Sequence, residues 1–342
     1  MNFYDFTLEE LESYLIENGF KKYNATQIIE WVYEKHIYDF DKMTNLSKKL
    51  IEFLKLNISF DKLKVIKVEE SDLANKYLLE LKDGNRIESV LMKHDYGLSL
   101  CVSSQIGCNM GCSFCESGRL KKIRNLTLSE IVMQVTTVSE YENKRIDSIV
   151  MMGIGEPFDN FDTVKRFISV VTNNKMIGIG QRHLTISTCG IVPKIYEFAD
   201  LETGVNLAIS LHASNNEIRD KIMKINHAYK IEEIMSALDY YIEKTNRRVT
   251  IEYIMLAGIN DSDKCAKELS NLLKGKLVYV NLIPYNETEN FNMKRSNDFK
   301  IKEFCDILKS NNINVTIRKE MGGNLSAACG QLRANEMQRI EK

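Results

Sequence analysis

The chain has 342 residues, 44% of them apolar, and a formal net charge of −1. That length admits one large α/β barrel or several domains. The near-neutral balance excludes a global positive field of the kind that marks a nucleic-acid binder, so any such contact must come from local basic patches. No apolar run is long enough to span a bilayer, and the acidic, amphipathic start MNFYDFTLEELESYL is unlike a targeting peptide, so a cytoplasmic protein with no membrane association is expected.

The first stretch reads as helices. Thr7 and Glu10 form a capping-box pattern, with Gly19 as a stop. A second helix is expected over 25–36 and a third over 47–54. They make a small helical module, which serves either as a structural cap on the main domain or as a docking surface for a macromolecule; the sequence leans to the cap. A β pattern follows at 63–68, 77–81 and 86–92, with Asp83-Gly84 as a hairpin turn. Then the period changes. Strands at 98–103, 148–152, 184–187, 205–211, 249–255 and 277–283 alternate with amphipathic helices, one opened by the capping box Thr127/Glu130 and others at 231–244 and 262–273. Repeated β–α units imply parallel strands with right-handed crossovers. The expected fold is therefore α/β, a partial (β/α)6 barrel with chemistry at the C-terminal strand ends, preceded by a helical module and a β-hairpin region. The expected divisions are a helical accessory domain at 1–57, a β extension at 58–93, the barrel core at 94–324 and a C-terminal segment at 325–342.

The eight cysteines do not suggest a disulfide framework in a reducing compartment. Cys108, Cys112 and Cys115 stand as C-x3-C-x2-C just after the first barrel strand. Three thiolates on one loop can ligate three irons of a 4Fe–4S cubane and leave the fourth open. An open iron can chelate the amino and carboxylate groups of a methionine moiety. An electron from the cluster can then cleave the adjacent sulfonium bond of S-adenosylmethionine to give a 5′-deoxyadenosyl radical. The competing reading is a zinc site with Cys101 as fourth ligand, but a second C-x2-C pair is missing.

Other strand ends carry candidate ligands. In Met152-Gly153-Ile154-Gly155-Glu156-Pro157 the glycines let the backbone approach a ligand, and Glu156 can accept the methionine ammonium. Ser187-Thr188-Cys189-Gly190, Ser210-Leu211-His212-Ala213 and the run from Asn281 to Asn286 place hydroxyls, an imidazole and amides on the same face; His212 fits a structural role equally well. Cys329, in Ala-Ala-Cys-Gly-Gln-Leu, is either a buried thiol or a reactive one, and with Cys101 it stands outside the cluster motif. Glu88 by itself reads as a surface acid. The basic run 119–124 reads as a solvated face that can meet phosphates.

Taken together, QIIEWVYEKH, RIESVLM, CVSSQIGCNMGCSFC, RNLT, MGIGEPFDN, STCGIVP, SLHA, NLIPYN and AACGQLR resemble, in order and over nearly the whole chain, the RlmN/Cfr family of radical S-adenosylmethionine RNA methyltransferases. The resemblance implies that Cys329 is methylated by one S-adenosylmethionine. A second is cleaved at the cluster, the radical takes hydrogen from the new methyl group, and the methylene radical adds to an adenine of RNA. Cys101 would resolve the adduct by forming a disulfide with Cys329. Glu88 matches a proton acceptor, and Gly155, Glu156, Ser187, Ser210, Leu211, His212 and Asn286 match the cofactor contacts. Adenine C2 is an electron-poor amidine carbon that cannot attack a sulfonium methyl, whereas a carbon radical adds to it. The base must also be presented unstacked, as RNA loops allow.

Ile106, where Cfr-type chains tend to carry cysteine, and Pro157 after Glu156 favour C2 over C8. Two departures from the family pattern are Glu116-Ser117-Gly118 after the cluster motif and Asn324-Leu325-Ser326 before Cys329. The expectation is a methyltransferase of adenine C2 in 23S rRNA and in tRNA, with an electron donor of the flavodoxin or ferredoxin kind, acting as a monomer. The competing classes are a C8 enzyme, a radical enzyme acting on a protein or small molecule, and a zinc-stabilised RNA-binding module.

Overall fold

The computed structural model describes residues 1–119, 121–288 and 290–318. Helix α1 (Leu8–Glu17) begins as expected: Thr7 Oγ1 accepts the Glu10 N–H at 3.2 Å, and Glu10 Oε2 accepts the Thr7 N–H at 2.8 Å. It ends beside Gly19, whose φ of +80° suits only a residue without Cβ strain. Helix α2 (Tyr23–Ile29) does not continue to His36 as an α-helix. It widens into a π-turn over Glu30–Glu34, with the Lys35 N–H donating to Glu30 O at 3.1 Å. Helix α3 (Lys48–Asn57) is capped by Ser47. Leu11, Leu15, Ile28, Leu50 and Leu54 are fully buried and join the same continuous core as the barrel strands. At about 1.5–3 kcal/mol for each such side chain, burial is what holds the module down. Polar contacts set its angle: Asp5 accepts the Ser129 N–H at 3.0 Å, and Arg166 pairs with Glu10 at 2.7 Å.

Strands β1 (Lys64–Glu70), β2 (Ala74–Glu80) and β3 (Arg86–His94) form an antiparallel meander, with Gly84 at φ +81° in the β2–β3 turn. Strand β4 (Gly97–Cys101) pairs antiparallel with β3 and opens the parallel region. A small ladder of β5 (Gln105–Ile106) and β6 (Arg124–Asn125) brackets the cysteine loop and the short helix α4 (Glu116–Arg119). The chain then runs α5 (Leu128–Glu142), β7 (Ser148–Met151), α6 (Phe161–Thr172), β8 (Leu184–Thr188), α7 (Val192–Asp200), β9 (Asn206–Ser210), α8 (Asn216–Ile222), α9 (Ile231–Thr245), β10 (Val249–Met255), α10 (Asp263–Leu273), β11 (Val278–Pro284), α11 (Asp298–Ser310) and β12 (Val315–Ile317).

All the long strands belong to one sheet in the order β1-β2-β3-β4-β7-β8-β9-β10-β11-β12, parallel from β4 onward. The six expected parallel strands are present, and β12 adds a short seventh. The sheet curls into an open barrel. Arg318, just past β12, comes back to Met92 of β3, its Nη2 4.0 Å from Sδ. The antiparallel strands therefore extend one edge of the barrel sheet itself. Pro157 and Pro193 follow their strands, while Pro284 is the last residue of β11.

Candidate active site

The cysteine loop leaves β5 at the C-terminal side of the parallel strands. Cys108, Cys112 and Cys115 line one cavity of about 380 Å³, together with Cys101, Glu156, Ser187, Ser210, His212 and Asn286. The loop is lightly held. Ser113 donates from its backbone N–H to Ile222 O at 2.9 Å, and the Lys122 N–H donates to Asn109 Oδ1 at 3.1 Å. Burial pushes the Cys108 thiol up to about 12 and raises Cys112 well above the ordinary thiol range; neighbouring cysteines and Glu156 add to both shifts. Such a site resists three thiolates until cationic iron compensates them, which is the chemistry of a metal-cluster cradle. A cubane offers a separate iron to each thiolate, and all three cysteines line the one cavity.

The facing wall is built from the ends of β7, β8 and β9. A Cβ on Gly153 would lie 2.7 Å from Val102 O, and one on Gly155, already at φ +108°, 2.6 Å from the Gln105 Cβ. These glycines let the β7 turn press against the β4 turn. Glu156 is buried, and its carboxylate is already engaged: Oε1 accepts the Phe158 N–H at 3.0 Å and Oε2 the Cys189 N–H at 2.8 Å. Burial raises its carboxyl, and those two amides pull it back. The Cys189 thiol and the Thr188 hydroxyl also face this carboxylate.

His212 sits at φ +57°, with its Nδ1 accepting the Ile254 N–H at 3.0 Å. The ring is therefore neutral and protonated at Nε2, and burial with Arg219 nearby holds it down at about 3. Arg219 is completely buried. Its guanidinium donates to the carbonyls of Leu211 (3.2 Å), Cys189 and Ser210, and to Asn226 Oδ1 (3.1 Å). One side chain thus ties the loop after β8 to the loop after β9.

The third wall is the β2–β3–β4 edge. The antiparallel register sets Lys76 opposite Val90, and Val90 opposite Cys101, so Lys76, Glu88, Val90 and Cys101 share the inner face. Glu88 is 3% exposed, contrary to its reading as a lone surface acid, and its Oε2 lies 3.3 Å from the equally buried Lys76 Nζ. The sequence missed Lys76 because β2 is covered on both faces and shows no alternation. It missed Arg219 because one arginine in an amphipathic helix carries no local signal.

Cys329, Asn324 and Ser326 lie outside the described residues, and no disulfide joins two of the described cysteines. Cys265 and Cys305 are buried in α10 and α11. Within the basic run 119–124, Arg119 is tied to Glu116, Lys122 to Asp159, and Arg124 to both Asp83 and Glu130. Most of its charge is thus spent internally, while Lys121 is exposed. The departure at Glu116 puts a buried acid at the cavity edge, held by Arg119 at 3.2 Å and Asn290 at 3.1 Å.

Comparison with known proteins agrees with this geometry. Residues 102–269 match the model of the radical SAM superfamily, and residues 1–59 match that of the ribosomal RNA large subunit methyltransferase N-terminal domain. The chain is 52% identical to the probable dual-specificity RNA methyltransferase RlmN of Acholeplasma laidlawii, covering 98% of this chain and 100% of the relative. It is 51% identical to the protein of the same name from Enterococcus faecalis, covering 98% and 97%. The crystal structure of a radical SAM methyltransferase from Sphaerobacter thermophilus superposes with a TM-score of 0.90 at 39% identity, covering 97% of this chain and 98% of that one. A 4Fe–4S cluster and S-adenosylmethionine are the cofactors of such enzymes, and the cavity has the thiols and polar strand ends to hold them. The chain belongs to the RlmN family of radical S-adenosylmethionine RNA methyltransferases.

Proposed function

We propose that this enzyme methylates C2 of an adenine in 23S rRNA and in tRNA, with Cys329 as the methyl carrier. One observation carries the reading. The cavity that holds the cluster thiols is also lined by Cys101 and by Lys76, the ion-pair partner of Glu88, groups that cleavage of S-adenosylmethionine alone does not require. Cys108, Cys112 and Cys115 hold the cluster, and Gly155, Glu156, Ser187, Ser210, Leu211, His212 and Asn286 hold S-adenosylmethionine. When bound, this pair supplies a primary carbon radical able to take hydrogen from a methyl group.

The chain's own residues do the rest. Cys329 carries the methyl group and forms the bond to adenine. Glu88 accepts the C2 proton, and Lys76, 3.3 Å away, holds its carboxylate in place. Cys101, as the thiolate, attacks the Cys329 sulfur: the S–S bond forms as the S–CH2 bond breaks, the departing carbon takes a proton to become the methyl group, and the unpaired electron of the adduct would pass back to the oxidised cluster. The buried Glu156–Cys189–Arg219 wall keeps water from the reacting centre. Residues 1–57 form the accessory domain that engages RNA; 58–93 extend the sheet edge that carries Glu88, 94–324 form the core, and 325–342 bear the methyl carrier. The reductant is a flavodoxin or ferredoxin, the protein acts as a monomer in the cytoplasm, and no helix of the described residues is long and apolar enough to cross a membrane.

Mass spectrometry of rRNA, tRNA and enzyme after anaerobic turnover tests the reading. The expected products are 2-methyladenine and a methylated Cys329 peptide. Formation of 8-methyladenine, or full activity in Cys329→Ala, would overturn it.

A further inference from the structure

We propose that Glu252 is a ribose-binding residue, which with Ser210 grips the vicinal diol of the adenosyl group of S-adenosylmethionine. This rests on the placement of S-adenosylmethionine against Ser210 given above, and it adds a carboxylate that the sequence motifs do not mark.

A row of side chains crosses four strands. Ser210 on β9 is in parallel register with Glu252 on β10, Glu252 with Asn281 on β11, and Asn281 with Thr316 on β12. Register partners on parallel strands point to the same side, about 4.8 Å apart. The row is wired in one direction. Thr316 Oγ1 donates to Asn281 Oδ1 at 3.1 Å, and Asn281 Nδ2 donates to Glu252 Oε1 at 3.1 Å. That fixes the carboxylate and leaves its other oxygen at the head of the row. Glu252 is 3% exposed, it lines the cavity beside Ser210, and its Oε2 has no hydrogen-bond partner among the described residues.

A buried carboxylate oxygen without a donor is costly, so a fold that keeps one is offering it to a ligand. The ligand must bring hydrogen-bond donors. Two adjacent hydroxyls suit a carboxylate oxygen next to a serine hydroxyl, just as an acidic residue takes the ribose hydroxyl in dinucleotide sites. Burial raises the Glu252 carboxyl above its ordinary range, and Arg318, which lines the same cavity, together with Asn281 offsets part of that effect.

The test uses the cluster-loaded enzyme under anaerobic conditions without reductant, so that nothing is turned over. Binding of S-adenosylhomocysteine is compared with that of its 2′,3′-dideoxy analogue by equilibrium dialysis. Wild type should prefer the diol about 10- to 100-fold, the range for a hydrogen bond to a charged group. Glu252→Ala should bring the two ligands to near-equal affinity. Glu252→Gln, which preserves shape if the alanine variant fails to fold, should reduce the preference to a few-fold. A role confined to fold stability would weaken both ligands alike and leave the ratio intact. An unchanged ratio in the variants, or no preference in wild type, overturns the assignment of Glu252. Retention of full S-adenosylhomocysteine affinity in Asn286→Ala and Ser210→Ala would instead overturn the placement of the cofactor on which it rests.

Discussion

Two walls of one cavity are made in opposite ways. The loop 108–115 is held by a few backbone bonds, and its three cysteines are only partly buried. The facing wall is buried and almost fully hydrogen-bonded: Glu156 is locked by two amides, His212 by the Ile254 amide, and Arg219 by carbonyls from two separate turns. The contrast teaches a division of labour. On the function proposed above, the wall that receives the adenosyl and methionine groups is preformed by the protein, and the loop is expected to tighten when iron supplies the missing charge, because metal binding and local folding are linked.

The strongest test of that division removes a thiolate. Cys112→Ser should abolish cluster assembly and RNA methylation while changing the unfolding free energy of the iron-free protein by less than about 1 kcal/mol. Iron and sulfide analysis with denaturant unfolding checks both halves, and a large stability loss would mean that loop and wall are one unit.

The reverse case is Arg219→Leu. It strands buried carbonyls on both turns, and the iron-free protein should lose about 3–5 kcal/mol, read from the denaturation midpoint. A change within 0.5 kcal/mol, the ordinary range for a surface site, would show that the wall does not depend on it.

A smaller effect is expected at the seam between the β4 and β7 turns. Gly155→Ala places a Cβ 2.6 Å from that of Gln105 at φ +108°. The strain should cost about 1–3 kcal/mol and weaken S-adenosylhomocysteine binding, without preventing cluster uptake.

The gentlest probe is pH. His212 is held down at about 3, below its ordinary value near 6.5, so the unfolded chain takes up the proton first as pH falls. Its contribution is therefore complete above about pH 6.5 and fades as pH drops toward 3, by at most about 1.4 kcal/mol per pH unit. His212→Asn, which can still accept the Ile254 N–H, should flatten that slope in denaturation series between pH 4 and 7. An unaltered slope would place the proton-linked loss elsewhere in the molecule.

Much of the fold was legible because its signals are local. Both capping boxes, at Thr7 and Thr127, form as their spacing implies, and Asp83-Gly84 makes its turn. The six principal parallel strands follow from continuous apolar runs between amphipathic helices. The second helix was misjudged at its end, since a π-turn needs tertiary packing to hold its wider loop. β12 was missed because three residues carry no period, and its pairing with β11 alone makes it a strand.

The cluster motif was just as visible, because three ligands on one loop must be close in sequence. By itself the sequence determined the family chemistry: the thiol spacing, the glycines of the β7 turn and the order of the strand-end motifs. Only the tertiary structure decided what surrounds them. It turned Glu88 from a surface acid into half of a buried ion pair with Lys76, made Arg219 the tie between two turns, and set Glu252 in register with Ser210. The physical reason is distance along the chain. A parallel barrel gathers one or two residues from each of many strands, and their partnership is written in the register of the sheet rather than in any local run of residues.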